Sequence, residues 1–484
     1  MRWSSRKFLG SAATVTIGLS LAVPARAAMA TTASTTTTVQ SSVPSSTYDS
    51  PVTFSAQVTA PAGTPTGSVM FTDISNGSIL ATKKVLSNGV ASFTTAALAP
   101  GARRVQAHYS GDASFSPSFS APMDIPVANG ASSSLAYQVD ARHDGNQSVG
   151  KLTPASLTKK WSVTLGDRNI QGTGNVSYPV IAAGRVFVTV PNIVSTGSTL
   201  YALKARTGEV DWSAGLGNHS TVVYDGRRLF ALDGAGVLTS FVASTGHQLW
   251  SKLMPSQYIF NAQPTAYDGV VYVSGAGSGG TMFAVGELDG AVRWTASTVT
   301  GDISSPAVDY TGAYVSYDCH NDYRINLRGQ QMWHSSGSCV GGIGSTAALH
   351  GNSVYARGGG AVLETGLILS KSSGTSTGSF LSDTVPAFDK SNMYTLQSRN
   401  LVAVDPSGSP NRWTFTNGSI VTPPIANAGV VYVESLTGTV YGISAQTGRQ
   451  VWTGNAGATS SGAGLAIGGG LLVVPAGENL TAFG

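Results

Sequence analysis

The chain has 484 residues, of which 42% are hydrophobic and only 11% are charged, and it contains 59 glycines and 21 prolines. This length and hydrophobicity suffice for a large core, so simple disorder is excluded, and the many turn-forming residues favour short strands over long charged helices. The formal net charge of +4 comes from four basic residues near the amino terminus, and the rest of the chain is neutral. Charge therefore gives no argument for nucleic acid or an anionic membrane as partner.

The amino terminus has the pattern of an export signal. Arg2, Arg6 and Lys7 form a positive region, Phe8 to Val23 is an apolar run, and Ala25-Arg26-Ala27 is a small-x-small cleavage site. We therefore predict a signal peptide and a secreted protein that is extracellular or periplasmic. An uncleaved anchor is the alternative, although the apolar run is shorter than the ~20 residues that a membrane helix needs. No later segment is apolar enough, so we expect no transmembrane segment after signal removal.

The next part of the chain alternates apolar and polar side chains in short runs. Val52, Phe54, Ala56 and Val58 point one way, and the residues between them point the other way. Turn residues such as Pro65-Thr66-Gly67 separate these runs, and no helical pattern or cysteine interrupts them. This pattern predicts an immunoglobulin-like β-sandwich without an inter-sheet disulfide. The Thr/Ser-rich stretch before it is predicted to be an exposed leader.

The same region resembles the bacterial Ig-like repeat domains of secreted and surface proteins. The resemblance lies in Gly63-Thr64-Pro65-Thr66-Gly67-Ser68-Val69, Leu98-Ala99-Pro100-Gly101 and Tyr109-Ser110-Gly111-Asp112. It implies a spacer or an adhesive module.

A Gly-x-x-x-Trp pattern recurs through the remainder of the chain, and two apolar runs precede each copy. The copies are Gly208 to Trp212, Gly246 to Trp250, Gly290 to Trp294, Gly329 to Trp333 and Gly448 to Trp452, with a looser one from Gly408 to Trp413. A period of about 40 residues with about four short strands per unit is typical of a propeller blade. We predict an eight-bladed β-propeller, since about eight periods fit between Trp161 and the end of the chain.

The ring is predicted to close on itself. Leu157 to Trp161 reads as a Trp-ending strand with no blade before it, and the last unit ends before such a strand. We expect this amino-terminal strand to complete the last blade, which limits free sheet edges. The tryptophans are then packing anchors between blades: Trp161, Trp212, Trp250, Trp294, Trp333, Trp413 and Trp452. His143-Asp144-Gly145-Asn146 is predicted to lie in a cap that packs on the ring.

The predicted domain organisation follows from these patterns. It comprises a signal peptide at 1–27, a leader at 28–46, the Ig-like domain at 47–128, a linker and cap at 129–156, and the propeller at 157–484.

The repeat resembles that of the quinoprotein-like β-propellers. Leu200-Tyr201-Ala202-Leu203 with Thr207-Gly208 to Trp212, and Val440-Tyr441-Gly442-Ile443 with Thr447-Gly448 to Trp452, carry the resemblance. That family includes dehydrogenases with pyrroloquinoline quinone and Ca²⁺ in the central channel, and also many non-catalytic scaffolds. An envelope assembly factor is a third possibility, although no lipid-anchor cysteine is present near the cleavage site.

No motif in the sequence points to catalysis. The acids are scattered, many of them in turns, and we find no cluster of carboxylates of the kind that calcium needs. We therefore predict no catalytic residues, no metal and no cofactor. The favoured function is a non-catalytic scaffold that binds an extracellular or envelope protein or a cell-surface glycan. The alternative is a quinone-dependent dehydrogenase of sugars or alcohols.

The two cysteines are predicted to form a disulfide. Cys319 follows the second strand of a blade, and Cys339 lies in the connection to the next blade, so both loops emerge on one face. Two buried free thiols remain an alternative. A metal set of Cys319, His320, Asp322 and Cys339 matches no familiar zinc spacing.

The same face carries the loops that vary most in length between repeats, whereas the opposite turns are tight and uniform. Functional residues concentrate on such loops. We predict this face as the recognition surface, with six candidate residues: Arg168, Asn169, His219, Tyr258, His320 and Asp322.

Overall fold

The computed structural model describes most of the chain after residue 31. The described residues are 32–48, 50–75, 78–96, 98, 101–128, 133–165, 174–192, 197–277, 279–299, 304–337, 344–358, 365–457, 459–460 and 462–484. The predicted signal peptide lies outside them. No helix in these ranges is long and apolar enough to cross a membrane. The helical segments that they contain are the 3-10 turns Pro154–Ser156 and Asp318–His320.

The amino-terminal domain is a β-sandwich, as predicted. Its strands are β1 (Thr36–Ser41), β2 (Ser46–Thr47), β3 (Val52–Thr59), β4 (Ser68–Asp73), β5 (Ser78–Val85), β6 (Val90–Thr95), β7 (Gly101–Tyr109), β8 (Ser118–Phe119) and β9 (Met123–Ala128). One sheet has the order β1-β3-β6, and the other has β2-β9-β7-β4-β5 with β8 beside β7. The alternating residues Val52, Phe54, Ala56 and Val58 are buried between the sheets.

The leader predicted at 28–46 is too long. Residues 36–41 form β1, which pairs antiparallel with β3 from Thr36 opposite Thr59 to Ser41 opposite Phe54. Threonine is compatible with a half-exposed strand because its β-branched side chain suits a pleated surface. The Thr/Ser-rich composition therefore led us to assign the edge strand β1 to an exposed leader.

The rest of the chain is a β-propeller, as predicted. Within the described ranges its strands form eight four-stranded sheets. Sheets 1 to 4 comprise β11–β14 (Val180–Ala182, Arg185–Asn192, Gly197–Lys204, Val210–Leu216), β15–β18 (Thr221–Asp225, Arg228–Leu232, Val237–Val242, Gln248–Leu253), β19–β22 (Thr265–Tyr267, Val270–Gly277, Gly279–Gly286, Val292–Thr298) and β23–β26 (Ala307–Asp309, Gly312–Tyr317, Asn321–Ile325, Gln331–Ser335). Sheets 5 to 7 comprise β27–β30 (Ala348–His350, Ser353–Ala356, Thr365–Ser370, Ser376–Leu381), β31–β34 (Ala387–Phe388, Met393–Gln397, Asn400–Val404, Asn411–Phe415) and β35–β38 (Ile425–Asn427, Val430–Glu434, Thr439–Ser444, Gln450–Asn455). Sheet 8 comprises β39–β41 (Ala466–Gly468, Leu471–Ala476, Asn479–Phe483) and β10 (Lys159–Thr164).

Sheet 8 combines both ends of the propeller sequence. Strand β10 pairs antiparallel with β41, with Trp161 opposite Ala482 and Thr164 opposite Asn479. The inner strand β39 of this sheet also contacts β11 of sheet 1. The ring is therefore closed by hydrogen bonds between residues more than 300 positions apart.

Each tryptophan of the repeat donates a hydrogen bond to a backbone carbonyl of the neighbouring blade. The indole Nε1 of Trp161 donates to the carbonyl of Ala205 at 2.8 Å, and that of Trp452 donates to the carbonyl of Leu157 at 3.1 Å. The other five indoles make the same kind of bond across to the next sheet. The glycine of the pattern lies under the tryptophan of the preceding sheet, except for Gly408, which lies against Ser379 and Ile368 of a sheet without the tryptophan. A Cβ on Gly208 would come within 2.7 Å of the Trp161 ring, so only glycine fits there.

The central channel is filled from one side by residues 133–147, which we call the hub segment. Its backbone hydrogen bonds reach the inner strands of sheet after sheet. Tyr224 N donates to the Leu135 carbonyl, Leu349 N donates to the Arg142 carbonyl, and Ala426 N donates to the Gly145 carbonyl. Buried backbone groups at the inner edges of the sheets are thereby paired.

His143 anchors the hub segment. Its side chain is 0% exposed, its Nδ1 lies 2.7 Å from the Tyr137 carbonyl oxygen, and its Nε2 lies 3.1 Å from the Thr265 hydroxyl. Burial lowers the pKa of His143, which favours the neutral imidazole. The cap predicted around His143 and Asp144 thus lies inside the ring rather than only on top of it.

The propeller has two unlike faces. On the turn face the first and second strands of each sheet are joined, and the Ig-like domain contacts this face. The Tyr48 hydroxyl donates a hydrogen bond to Asp225. The Arg103 guanidinium lies 3.3 Å from Asp268 and 3.7 Å from Asp73. The opposite side, where each sheet is connected to the next, is called the loop face below.

Candidate functional site

The central channel opens on the loop face into a polar cavity of about 400 Å³, which we call the hub mouth. Its lining residues come from sheets 3 to 8 and from the hub segment. They are Tyr137, Asn261, Gln263, Ser305, Gly344, Ser345, Thr346, Arg357, Asp383, Thr384, Val385, Pro423, Gly462 and Ala463. Because the hub segment fills the channel on the side of the turn face, a ligand would enter the hub mouth from the loop face.

Hydroxyl groups tie together the connections that carry the lining residues. Gln263 N donates to Ser305 Oγ at 3.0 Å, and Ser305 N donates to Thr346 Oγ1 at 3.1 Å. Ser345 Oγ donates to the Arg357 carbonyl at 2.9 Å. These bonds hold three neighbouring sheets in register at the mouth, so the amide and guanidinium groups there are pre-positioned.

Asp383 supplies the carboxylate of the hub mouth. It follows β30 in the connection to sheet 6, and its Oδ2 accepts a hydrogen bond from Arg399 N at 3.0 Å. Its Oδ1 is buried and has no hydrogen-bond partner among the described residues. A buried carboxylate oxygen without a partner is costly, so the site favours a ligand that donates a hydrogen bond there.

Tyr137 projects from the hub segment to the floor of the mouth. Its ring lies 5.2 Å from that of Tyr178 in an edge-on arrangement. Burial raises the pKa of Tyr137 to about 12, and the nearby Arg357 guanidinium opposes that rise. The phenol is therefore neutral at physiological pH and can serve as a hydrogen-bond donor.

Behind the mouth lies a second carboxyl group, that of Glu434 at the end of β36. It is 0% exposed, and its Oε2 accepts a hydrogen bond from Ser460 Oγ at 2.6 Å. Ser460 Oγ in turn accepts a bond from Gly462 N, which places the pair next to the lining of the mouth. Burial raises the pKa of Glu434 to about 8.

Substituting Glu434 by glutamine should stabilise the protein at alkaline pH. The pKa of about 8 in the folded state lies above the ordinary value of 4.5, so the folded protein retains a proton that the unfolded chain has lost. Stability should therefore fall as the pH rises from about 4.5 to about 8. In Glu434→Gln that loss disappears, which we expect to be worth on the order of 3 kcal/mol at pH 9 and close to nothing at pH 4. Urea unfolding across this pH range measures the difference.

The matched control for that substitution is Glu209→Gln. Glu209 is an exposed glutamate on the turn face whose pKa is lowered by its bond to Lys204. It should show no stabilisation at pH 9. If both variants shift alike, or if Glu434→Gln is less stable at pH 9, burial of a protonated Glu434 is the wrong explanation.

The first four of the six predicted recognition residues do not form part of the hub mouth as the structure describes it. Arg168 and Asn169 lie outside the described residues. His219 and Tyr258 are exposed on the loop face but do not line the hub mouth.

His320 and Asp322 lie together, but they are not the exposed loop residues that we expected. The Asp322 side chain is only 1% exposed, and its Oδ2 lies 3.8 Å from His320 Nδ1. Burial raises the pKa of Asp322 to about 7. Asp322 is the second residue of strand β25 and does not lie in the loop before it, and this is why it is buried.

The cysteine prediction falls partly outside the described residues. Cys319 lies in the 3-10 turn after β24 with a left-handed φ of 58°. Cys339 is not among the described residues, so the disulfide stays a prediction.

Sequence reasoning missed Arg357 and Asp383, the two charged residues at the mouth. The two residues lie in different loops, and the distance between them in the sequence matches no known motif. The signal that could have found them is positional, because both lie in connections on the loop face: Arg357 follows β28, and Asp383 precedes the inner strand β31.

Two family models match the chain. Residues 37–128 match the bacterial Ig-like domain (group 3). Residues 145–357 and 323–483 match the family described as outer membrane protein assembly factor BamB. Both matches agree with the two domains seen in the structure.

A relative found by sequence is an enzyme, the polyvinylalcohol dehydrogenase of a Pseudomonas species. It is 25% identical over 249 residues, which is 46% of this chain and 37% of that protein. The chain thus spans little more than a third of the length of this relative.

Solved structures show the same fold at low identity. Quinohemoprotein alcohol dehydrogenase from Comamonas testosteroni is 12% identical with a TM-score of 0.58, and the match covers 73% of this chain and 80% of that one. BamB from Moraxella catarrhalis is 17% identical with a TM-score of 0.52, over 68% of this chain and 97% of that one.

The match to a dehydrogenase contradicts the prediction of a non-catalytic scaffold without enzyme activity. That prediction rested on the absence of a carboxylate cluster in the sequence. In a propeller, however, a site is assembled from single residues that distant connections bring to one axis, so no cluster in the sequence is needed.

Proposed function

The chain belongs to the family described as outer membrane protein assembly factor BamB, and we propose that within this propeller family it is a quinone-dependent dehydrogenase of hydroxylated substrates. The observation that carries the proposal is the buried, unpartnered Asp383 Oδ1 in a polar cavity on the propeller axis. The sequence relative that is a dehydrogenase supports it. The propeller supplies a rigid frame, and the residues that line the hub mouth would bind the quinone and the substrate.

The donor set of the hub mouth fits a carboxylated quinone. Such a molecule offers carboxylate and carbonyl oxygens, which require cations and N–H or O–H donors. Arg357 would pair with a carboxylate, since a guanidinium suits that geometry. Asn261, Gln263 and Thr346 would donate to the remaining oxygens.

The same residues do not fit the calcium ion that the sequence alternative included. Calcium takes six to eight oxygen ligands, typically with several carboxylates. Asp383 is the one acidic residue among the described lining residues. No group of three His, Cys, Asp or Glu residues in the described part of the chain is arranged to hold a metal. The proposal therefore concerns the quinone and not the metal.

The residues of the mouth have distinct roles in the proposed oxidation. A bound quinone supplies an acceptor for the two electrons that leave the carbinol carbon with its hydrogen. Asp383 Oδ1 accepts the proton of the substrate hydroxyl, so that the alcohol becomes a carbonyl compound. Arg399 N, which holds Asp383 Oδ2, orients the carboxylate. Tyr137 closes the floor of the site, and the rest of the hub segment lies behind it.

Reconstitution tests the proposal directly. Pyrroloquinoline quinone added to the purified full chain should bind saturably, as followed by its absorbance and fluorescence. The complex should then reduce an artificial dye when given polyvinyl alcohol or a small secondary alcohol. Absence of binding by folded protein, judged by circular dichroism, would sink the proposal.

Variants at two arginines sharpen that test. Arg357→Gln should weaken quinone binding about tenfold or more, because a charge-assisted bidentate bond is lost. Arg328→Gln is the control, since Arg328 is exposed in a turn on the opposite face. Equal binding by both variants would exclude Arg357 as the cationic partner.

We propose in addition that the protein is exported, cleaved after Ala27 and bridged between Cys319 and Cys339. The positive, apolar and small-residue pattern of the amino terminus supports export, and an oxidising compartment supports the bridge. The intact mass of the protein recovered outside the cytoplasm should lack residues 1–27 and should rise on alkylation only after reduction. A mass that includes the leader, or alkylation without reduction, would contradict these assignments.

A further inference from the structure

A second cavity lies between the two domains on the turn face. Its volume is about 450 Å³, and its walls come from strands β5 and β6 of the Ig-like domain and from sheets 2 and 3 of the propeller. The hydrogen bond of Tyr48 to Asp225 and the ion pair of Arg103 with Asp268 join the domains nearby. The cavity therefore exists only when both domains are docked.

The charged residues among the described lining of this interdomain cavity are basic. Lys84 comes from the Ig-like wall, and Arg227 and Arg228 come from the propeller wall. No carboxylate is among its described lining residues. Thr82 and Thr94 add hydroxyl groups on the Ig-like side. Lys84 and Arg228, which come from opposite walls, together with the threonine hydroxyls, form an anion site in chemical terms.

The Arg228 guanidinium is held by neutral partners. Its Nη1 donates to the backbone carbonyls of Glu287 at 2.8 Å and Leu288 at 3.4 Å. The nearby Glu287 carboxyl is buried against Asp225, and burial raises its pKa well above the ordinary value. Within the described residues the Arg228 guanidinium therefore bonds to carbonyl oxygens and not to a carboxylate.

We propose that the interdomain cavity binds a phosphate group and thereby locks the Ig-like domain to the propeller. A phosphate group carries several oxygens and up to two negative charges, so it can accept hydrogen bonds from Lys84 on one wall and from Arg228 on the other at the same time. The cavity is larger than a phosphate ion, so it has room for a phosphorylated small molecule. This site is independent of the hub mouth and lies on the opposite face.

Thermal unfolding of the full chain at low ionic strength tests the proposal. Inorganic phosphate and glucose 6-phosphate should raise the unfolding temperature in a saturable way, whereas potassium chloride of equal ionic strength should not. Lys84→Gln and Arg228→Gln should each weaken the apparent affinity at least tenfold. Calorimetric titration with the same two probes gives the affinity independently.

Lys83→Gln provides the matched control. Lys83 is the exposed neighbour of Lys84 in the same strand and is not a lining residue of the cavity. It should bind phosphate like the parent protein. The proposal is overturned if phosphate gives no more stabilisation than chloride, or if Lys83→Gln and Lys84→Gln lose affinity equally. Arg228→Gln also removes the bonds to the two carbonyls, so the decision rests on Lys84→Gln.

Discussion

Replacing Asp383 by asparagine should lower kcat of the reconstituted protein at least about 100-fold while leaving quinone binding unchanged, since removal of a positioned general base costs 10²–10⁴-fold. Asparagine keeps the size of the side chain and an oxygen that can accept from Arg399 N, but it cannot take up the hydroxyl proton of the substrate. Initial rates of dye reduction, measured beside a quinone titration, separate the two effects. A loss confined to KM would assign Asp383 to substrate binding instead.

The control for this substitution is Asp405→Asn in the same sheet. Asp405 lies at the opposite end of sheet 6 and pairs with Arg412 at 2.7 Å. It should leave both kcat and quinone binding unchanged. Full activity of Asp383→Asn would remove the catalytic base from the proposed mechanism, even if the quinone binds as expected.

The second large effect is expected on stability. Trp161→Ala should destabilise the propeller by about 3–5 kcal/mol, because it leaves a cavity the size of an indole and removes the bond to the Ala205 carbonyl. Trp161 packs among Leu471, Val473 and Leu480 of sheet 8 and against sheet 1, so it holds the closing strand on both sides. The midpoint of urea unfolding measures the loss.

Trp294→Ala distinguishes closure from simple loss of an indole. Trp294 makes the equivalent bond to the Leu327 carbonyl, but it lies in a sheet built from consecutive strands. If closure matters, Trp161→Ala should cost more than Trp294→Ala and should expose the edge of β41. Equal costs would mean that β10 contributes no more than any other outer strand.

Periodicity made the fold predictable from the sequence. The glycines and tryptophans recur because the glycine lies under the indole of the preceding sheet wherever that sheet has one, and that packing repeats with the unit. Sheet 5 shows where the repeat pattern fails as a predictor. Gly378 lies opposite Ile368, at the position where the other sheets have a tryptophan. Spacing alone locates that sheet. It does not reveal that Gly374 still packs against Trp333.

The site was less predictable because its residues obey no period. Asp383 and Arg357 line one cavity only after the ring has closed, and neither differs in the sequence from an ordinary loop residue. Asp322 shows the converse error, because it resembles a loop residue and is buried in a strand. The Thr/Ser-rich residues 36–41 were misjudged for a similar reason, since composition does not show which strand they pair with.

The hub segment has a consequence for how such chains can be rearranged. Its backbone is bonded to one sheet after another around the axis, although it precedes the first propeller strand. A fragment that starts at Leu157 would therefore be a hollow ring whose inner edges are exposed to water. Genetic exchange of the Ig-like domain should succeed only when the crossover lies upstream of residue 133. Every recombinant propeller then keeps the hub segment that pairs with its own inner strands.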